Sequence, residues 1–122
     1  MIYQILVFLV LLSQDVNELQ GRWSMVYREA YGKVDTDSYE LLIVKDKFIM
    51  KKGDKVIATG TAVINPLSSP KTIDLIGENG RILKGIYELR GDFYICAYSR
   101  DDMKRPTDFN RKDNRINIWR RE

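Results

Sequence analysis

Five tyrosines, Tyr27, Tyr39, Tyr87, Tyr94 and Tyr98, are the side chains of this sequence best suited to meet a ligand. A tyrosine on an inner wall offers an apolar ring and a hydroxyl, which suits an amphiphilic molecule. The same two properties suit a packed core, and both readings stand at this level. Arg105-Pro106-Thr107-Asp108-Phe109 forms a second group. Pro106 stiffens the segment, Arg105 and Asp108 offer charges to a polar ligand group, and Phe109 is an aromatic plug for a barrel end. The segment reads either as a lid or as a structural latch.

Other chemistry is excluded or weak. The chain has no histidine, which removes the commonest general base and the commonest zinc ligand. Its one cysteine, Cys96, permits neither an intrachain disulfide nor a cysteine-rich metal site, and its neighbours Phe93, Tyr94, Ile95 and Ala97 mark it as a buried small hydrophobe. Asp35 with Asp37, and Asp101 with Asp102, pair carboxylates without the spacing of a calcium loop, so solvated turns explain them better. Arg90-Gly91-Asp92 spells an adhesion tripeptide, yet Gly-Asp at a hairpin tip is ordinary turn chemistry. No phosphate-binding glycine loop or nucleophile elbow is present, and nothing singles out a lone carboxylate or tyrosine as a general acid or base. The expectation is a protein that is not an enzyme and holds no cofactor and no metal.

Charge points the same way. The 20 basic and 17 acidic side chains leave a net of +3, far below what a dedicated nucleic-acid binder carries, so no nucleic-acid partner is expected. Residues 1–99 hold 12 of each sign, and the whole excess falls in residues 100–122, with 8 basic against 5 acidic. That segment reads as a solvated loop and final strand, with a phosphate-binding or membrane-surface patch as the alternative.

The elements that must position these residues are strands. From Gly21 onward the dominant period is two. Trp23, Met25 and Tyr27 alternate with Arg22, Ser24 and Arg28, the pattern of a half-buried strand. Further strands are predicted over 39–44, 47–51, 55–64, 72–76, 81–89, 92–99 and 115–120. Lys45-Asp46, Lys52-Gly53-Asp54, Gly77-Glu78-Asn79-Gly80 and Arg90-Gly91 supply the tight turns between them. Gly60, inside a strand, marks a bulge or a close backbone approach. Asn65 to Pro70 is a loop, and 100–114 is the longest connection, with room for a helical turn near Asp101–Lys104. No segment past Asp15 offers an amphipathic helix of ten residues. Eight short antiparallel strands have edges to protect, and closure into a barrel removes them. The fold class is therefore all-β, a small antiparallel lipocalin-like barrel over residues 14–122, with a two-sheet sandwich as the alternative.

Residues 2–13 form an uncharged, mostly apolar run, too short to span a bilayer comfortably. Residues 1–13 suit a signal peptide, although no Lys or Arg precedes the run and Leu11 spoils the cleavage pattern. The expectation is a secreted or periplasmic protein, or a membrane-anchored one if the segment is retained. Any membrane contact would then run through residues 2–13 alone.

Glu18-Leu19-Gln20-Gly21-Arg22-Trp23 resembles the Gly-x-Trp signature that opens the first strand of lipocalins. More closely, the chain resembles a small lipocalin-like domain family abundant in planctomycetes. That family's motifs stand here, in order, as Leu19–Trp23, Pro70–Asp74, Gly85–Asp92, Arg105–Phe109 and Ile116–Glu122, covering about 100 residues. The resemblance implies a barrel domain, often in exported proteins. It assigns structural parts to Gly21, which enters the strand, and to Trp23, which plugs one barrel end. A basic side chain of the last strand, Arg120 or Arg121, packs over the indole. The chain lacks the length, disulfide and C-terminal helix of full lipocalins, which disfavours a wide cavity.

Together these readings predict a barrel that binds a small apolar or amphiphilic molecule through Tyr27, Tyr39, Tyr87, Tyr98, Arg105 and Asp108. The alternative is a protein-interaction or inhibitor module with a packed interior.

Overall fold

A computed structural model describes residues 14–99 and 104–122. Strands take up 62% of the structure and helix 6%, as the period of two requires. The strands are β1 (Gly21–Ala30), β2 (Lys33–Val34), β3 (Tyr39–Val44), β4 (Lys47–Lys52), β5 (Lys55–Asn65), β6 (Thr72–Gly77), β7 (Ile82–Arg90), β8 (Phe93–Ser99) and β9 (Asn114–Arg121). Each strand from β3 to β8 pairs antiparallel with the next, and β1 pairs with both β3 and β9. That last pairing closes an eight-stranded barrel and excludes the sandwich. The two-residue β2 is an addition beside the end of β1.

One end of the barrel is shut. Residues 14–19 are helical, and the segment that follows leads directly into β1. Gln20 ties it to the β3–β4 turn, donating from Nε2 to the Lys45 carbonyl at 2.8 Å and accepting from the Lys45 amide. Arg121 donates to the carbonyls of Gln20 and Glu18. The opposite end carries the β4–β5 and β6–β7 turns.

Two apolar clusters follow from the alternation. The larger lies inside the barrel and includes Leu19, Trp23, Leu41, Ile43, Phe48, Ile73, Tyr94 and Trp119. The smaller, Ile86, Ala97 and Ile116, lies on the outer wall of β7, β8 and β9 under Phe109 and Ile118. Residues 104–113 cover that wall as a strap.

Two bulges interrupt the period. In β1, Met25 pairs with Trp119 and Tyr27 with Ile118, so Val26 is the extra residue. In β5, Ala58 pairs with Met50 and Val56 with Lys51, which leaves Ile57 extra. Gly60 meets a close approach: a Cβ there would stand 2.1 Å from the Ile76 carbonyl oxygen.

Candidate functional site

The shut end is built around Trp23. Its ring is fully buried, and its Nε1 donates to the Leu19 carbonyl at 2.9 Å. Tyr94 meets it edge-on with centroids 5.7 Å apart, and Tyr87 meets Tyr94 the same way at 6.4 Å. The guanidinium of Arg121 lies 4.3 Å from the indole centroid. Arg120, which the resemblance also offered, points outward and is exposed, because adjacent residues of a strand face opposite sides. Gly21 enters β1 at φ +110° beside the Arg121 side chain.

Tyr87 is bound to this end. Its hydroxyl donates to Asp15 Oδ2 at 2.6 Å, and Lys71 Nζ reaches the same oxygen at 3.1 Å. Burial first, and then the Asp15 carboxylate, push the phenol far above its ordinary range. Tyr98 is buried beside Tyr94 and Cys96, and burial drives all three up, the thiol to about 11. Gly85 makes room for Tyr98, since a Cβ there would stand 2.6 Å from its Cε1. Tyr39 sits farther toward the open end. It donates to Asp35 Oδ2 at 2.7 Å under the guanidinium of Arg28, 4.6 Å from the ring centroid. Burial, reinforced by that hydrogen bond, raises its phenol, and the same bond lowers the Asp35 carboxyl.

The alternation predicted Tyr27 on the inner face with Trp23 and Met25. The bulge at Val26 shifts the period by one, so Tyr27 stands outside opposite Ile118 and donates to Glu29 Oε2 at 2.8 Å. Arg28 takes the inward position instead, opposite Asn117.

The strap is a latch on the outer wall and not a cover at a mouth. Arg105 Nη1 donates to the carbonyls of Gly85 at 2.8 Å and Ile73 at 3.2 Å. Its Nη2 lies 2.6 Å from Asp74 Oδ1, an ion pair off the line of a hydrogen bond. Phe109 packs on the outer cluster and does not enter a barrel end. Asp108 is exposed and closes a local turn by accepting from the Asn110 amide at 3.0 Å, so it does not meet Arg105. The helical turn expected near Asp101, and the Asp101–Asp102 pair, lie outside the described residues, as does the segment 1–13. Asp35 and Asp37 are turn residues: Asp35 Oδ1 accepts from the Asp37 amide at 2.8 Å, and Asp37 pairs with Lys52 at 2.9 Å. Among the described residues no group of carboxylates and thiol is arranged to hold a metal ion, and no helix is long and apolar enough to cross a membrane.

The candidate site lies elsewhere. A cavity of about 490 Å³ occupies the open end between β4–β5 and β6–β7. Phe48, Met50, Ala58, Leu75 and Leu83 form its apolar wall, with Val56 and Ile57 at the edge and Glu78, Asn79 and Arg81 of the β6–β7 turn at the rim. None of the six residues expected to bind a ligand lines it. Its cause was visible in β5, where the inward positions are Ala58, Gly60 and Ala62, opposite Met50, Phe48 and Leu75. Small side chains there leave space that no neighbour fills. β5 also runs past the end of β6, whose last pair is Gly77 with Gly60, so the wall is cut away beside Ala58. The arrangement can hold an apolar body within and a polar group at the rim. No protein-family model matches this chain, and no curated protein is detectably similar to it in sequence.

Proposed function

We propose that the protein is a non-catalytic, extracytoplasmic β-barrel that binds a small apolar or amphiphilic molecule, as a member of the small lipocalin-like domain family. The observation that carries this reading is the cavity at the open end. Its volume of about 490 Å³ falls within the roughly 300–1,000 Å³ of small-molecule sites. Its wall is apolar and its polar groups gather at one rim, which is the distribution an amphiphile needs. The hollow inner face of β5 weighs against an inhibitor or interaction module with a filled interior. Secretion, or anchoring through residues 2–13, belongs to the same proposal, with no cofactor and no nucleic acid required.

The test uses the neutral fluorescent probe N-phenyl-1-naphthylamine. Its emission should rise on binding with saturable, one-site behaviour. Ala58 is exposed at the mouth, so Ala58→Trp can fill the cavity without disturbing the buried core. That variant should lose probe binding at least tenfold while its melting temperature stays within a few degrees of wild type. Absence of saturable binding to the wild-type protein would sink the reading.

A further inference from the structure

The wall opposite the cavity carries charge where a barrel interior is usually apolar. On β9, Trp119, Asn117 and Arg115 share the inward face, opposite Tyr94, Cys96 and Tyr98 of β8. Asn117 is only 6% exposed, and its Oδ1 has no hydrogen-bond partner. The Nε of Arg115 is buried and also lacks one. Buried polar atoms without partners are rare in native folds, and here a donor, Arg115 Nε, and an acceptor, Asn117 Oδ1, stand on alternate residues of one strand. The β1 bulge turns a further arginine inward, Arg28, which pairs across the sheet with Asn117 and lays its guanidinium over the Tyr39 ring. Asp35 and Asp37, the acidic groups nearest Tyr39, are engaged by Tyr39, Lys52 and their own turn.

Around the barrel this wall lies two strands from β7, whose Leu83 lines the cavity. Arg115 pairs with Tyr98, and the Tyr98 ring lies against Gly85. Gly85 and Leu83 alternate on the inner face of β7, and Leu83 lines the cavity.

We infer that Arg115 and Asn117 form a head-group site for an anionic amphiphile whose apolar tail occupies the cavity. The inference rests on the reading of the barrel as an amphiphile binder and names the class of ligand. The planar guanidinium offers several donors to a carboxylate or phosphate oxygen, and the Asn117 amide can turn over to add its Nδ2. The two arginines favour negative charge, and the apolar wall favours a chain over a free ion.

The experiment displaces N-phenyl-1-naphthylamine with three ligands of equal chain length: dodecanoate, dodecyl phosphate and 1-dodecanol. Wild type should bind at least one of the two anions roughly tenfold more tightly than the alcohol. The preferred anion tells a fatty acid from a phosphorylated amphiphile. Arg115→Gln should erase the preference by weakening that anion about tenfold, with dodecanol and the neutral probe unchanged. Arg115→Lys keeps the charge but loses the fork, and should retain a smaller preference. It also serves if the glutamine variant does not fold. Equal affinity of wild type for acid and alcohol would overturn the inference, as would an Arg115→Gln effect on all three ligands alike or on none. In each of those cases probe and dodecanol binding would leave the amphiphile reading standing. Failure of the probe itself to bind would remove both.

Discussion

The two ends of this barrel are made from the same strands and differ in what those strands point inward. At the shut end the inward residues are Trp23, Leu41, Ile43, Tyr87, Tyr94 and Trp119, and a short helical segment adds Leu19 and Asp15. Tyr94 meets Trp23 and Tyr87 edge to face, and the polar tips of Trp23 and Tyr87 each find a partner. At the open end β5 contributes only Ala58 and Gly60 beside Met50 and Phe48, and the space they leave is the cavity. The ladder is also less regular at the open end, where β5 bulges at Ile57 and β6 stops at Gly77 beside Gly60. Side-chain volume on the inner face and this cut-away wall together leave the barrel hollow there. A filled end supplies stability, and an end spared that duty is left with room for a ligand.

The strongest way to break this contrast is to empty the filled end. Trp23→Ala should cost about 3–5 kcal/mol, since it removes a fully buried ring and leaves its neighbours without contacts. It also deprives the Leu19 carbonyl and Arg121 of their partner. Chemical denaturation measures this directly. A loss below about 1 kcal/mol would mean that the shut end does not hold the barrel together, and the division of labour would fail.

How much of this could be read from the residues alone also divides by region. The strands were legible almost to the residue because Lys45-Asp46, Lys52-Gly53-Asp54 and Arg90-Gly91 interrupt clean alternations. Trp23 was legible through the Gly21-x-Trp23 pattern and the resemblance it carries. The binding wall was not. Sequence reasoning weighs chemically distinctive side chains, so it turned to tyrosines, whereas the cavity exists through the smallness of Ala58 and Gly60. Tyr27 was misplaced for a different reason. A bulge at Val26 costs one residue of register, and no residue in Met25-Val26-Tyr27-Arg28 announces it. Arg115 and Asn117 read as part of a basic, solvated strand, and only closure of β9 onto β1 turns them inward.

The dryness of the filled interior is open to titration. Burial raises Cys96 from 9.0 to about 11 and raises Tyr94 and Tyr98 well above 10.0. Each group keeps its proton in the fold and loses it more readily in the unfolded chain. Such groups contribute fully below the unfolded pKa and lose that contribution as pH rises toward the folded value. Melting temperature should therefore hold up to about pH 9 and fall through pH 11. Cys96→Ala should make the decline shallower between about 9 and 11. A flat profile from pH 8 to 11 would show that water reaches these groups and that the interior is not packed as described.

The smallest expected effect concerns the strap, and it asks whether the filled region extends to the outer wall. Arg105 and Asp108 are three residues apart and oppositely charged, yet they do different things. Arg105 crosses to the carbonyls of Ile73 and Gly85 and to Asp74, and so staples β6 to β7 beneath the strap. Asp108 only shapes its own exposed turn. Arg105→Ala should therefore cost about 1–2 kcal/mol, the worth of charge-assisted bonds at a site that water still partly reaches. Asp108→Ala should cost about 0.5 kcal/mol or less. Neither should change probe binding per folded molecule, because the latch lies on the outer wall and the cavity lies within. The two variants, measured by thermal melting and probe titration side by side, set the outer latch against the inner site. Should Arg105→Ala melt like wild type but bind the probe poorly, the strap would belong to the mouth, and its assignment to the outer wall would be wrong.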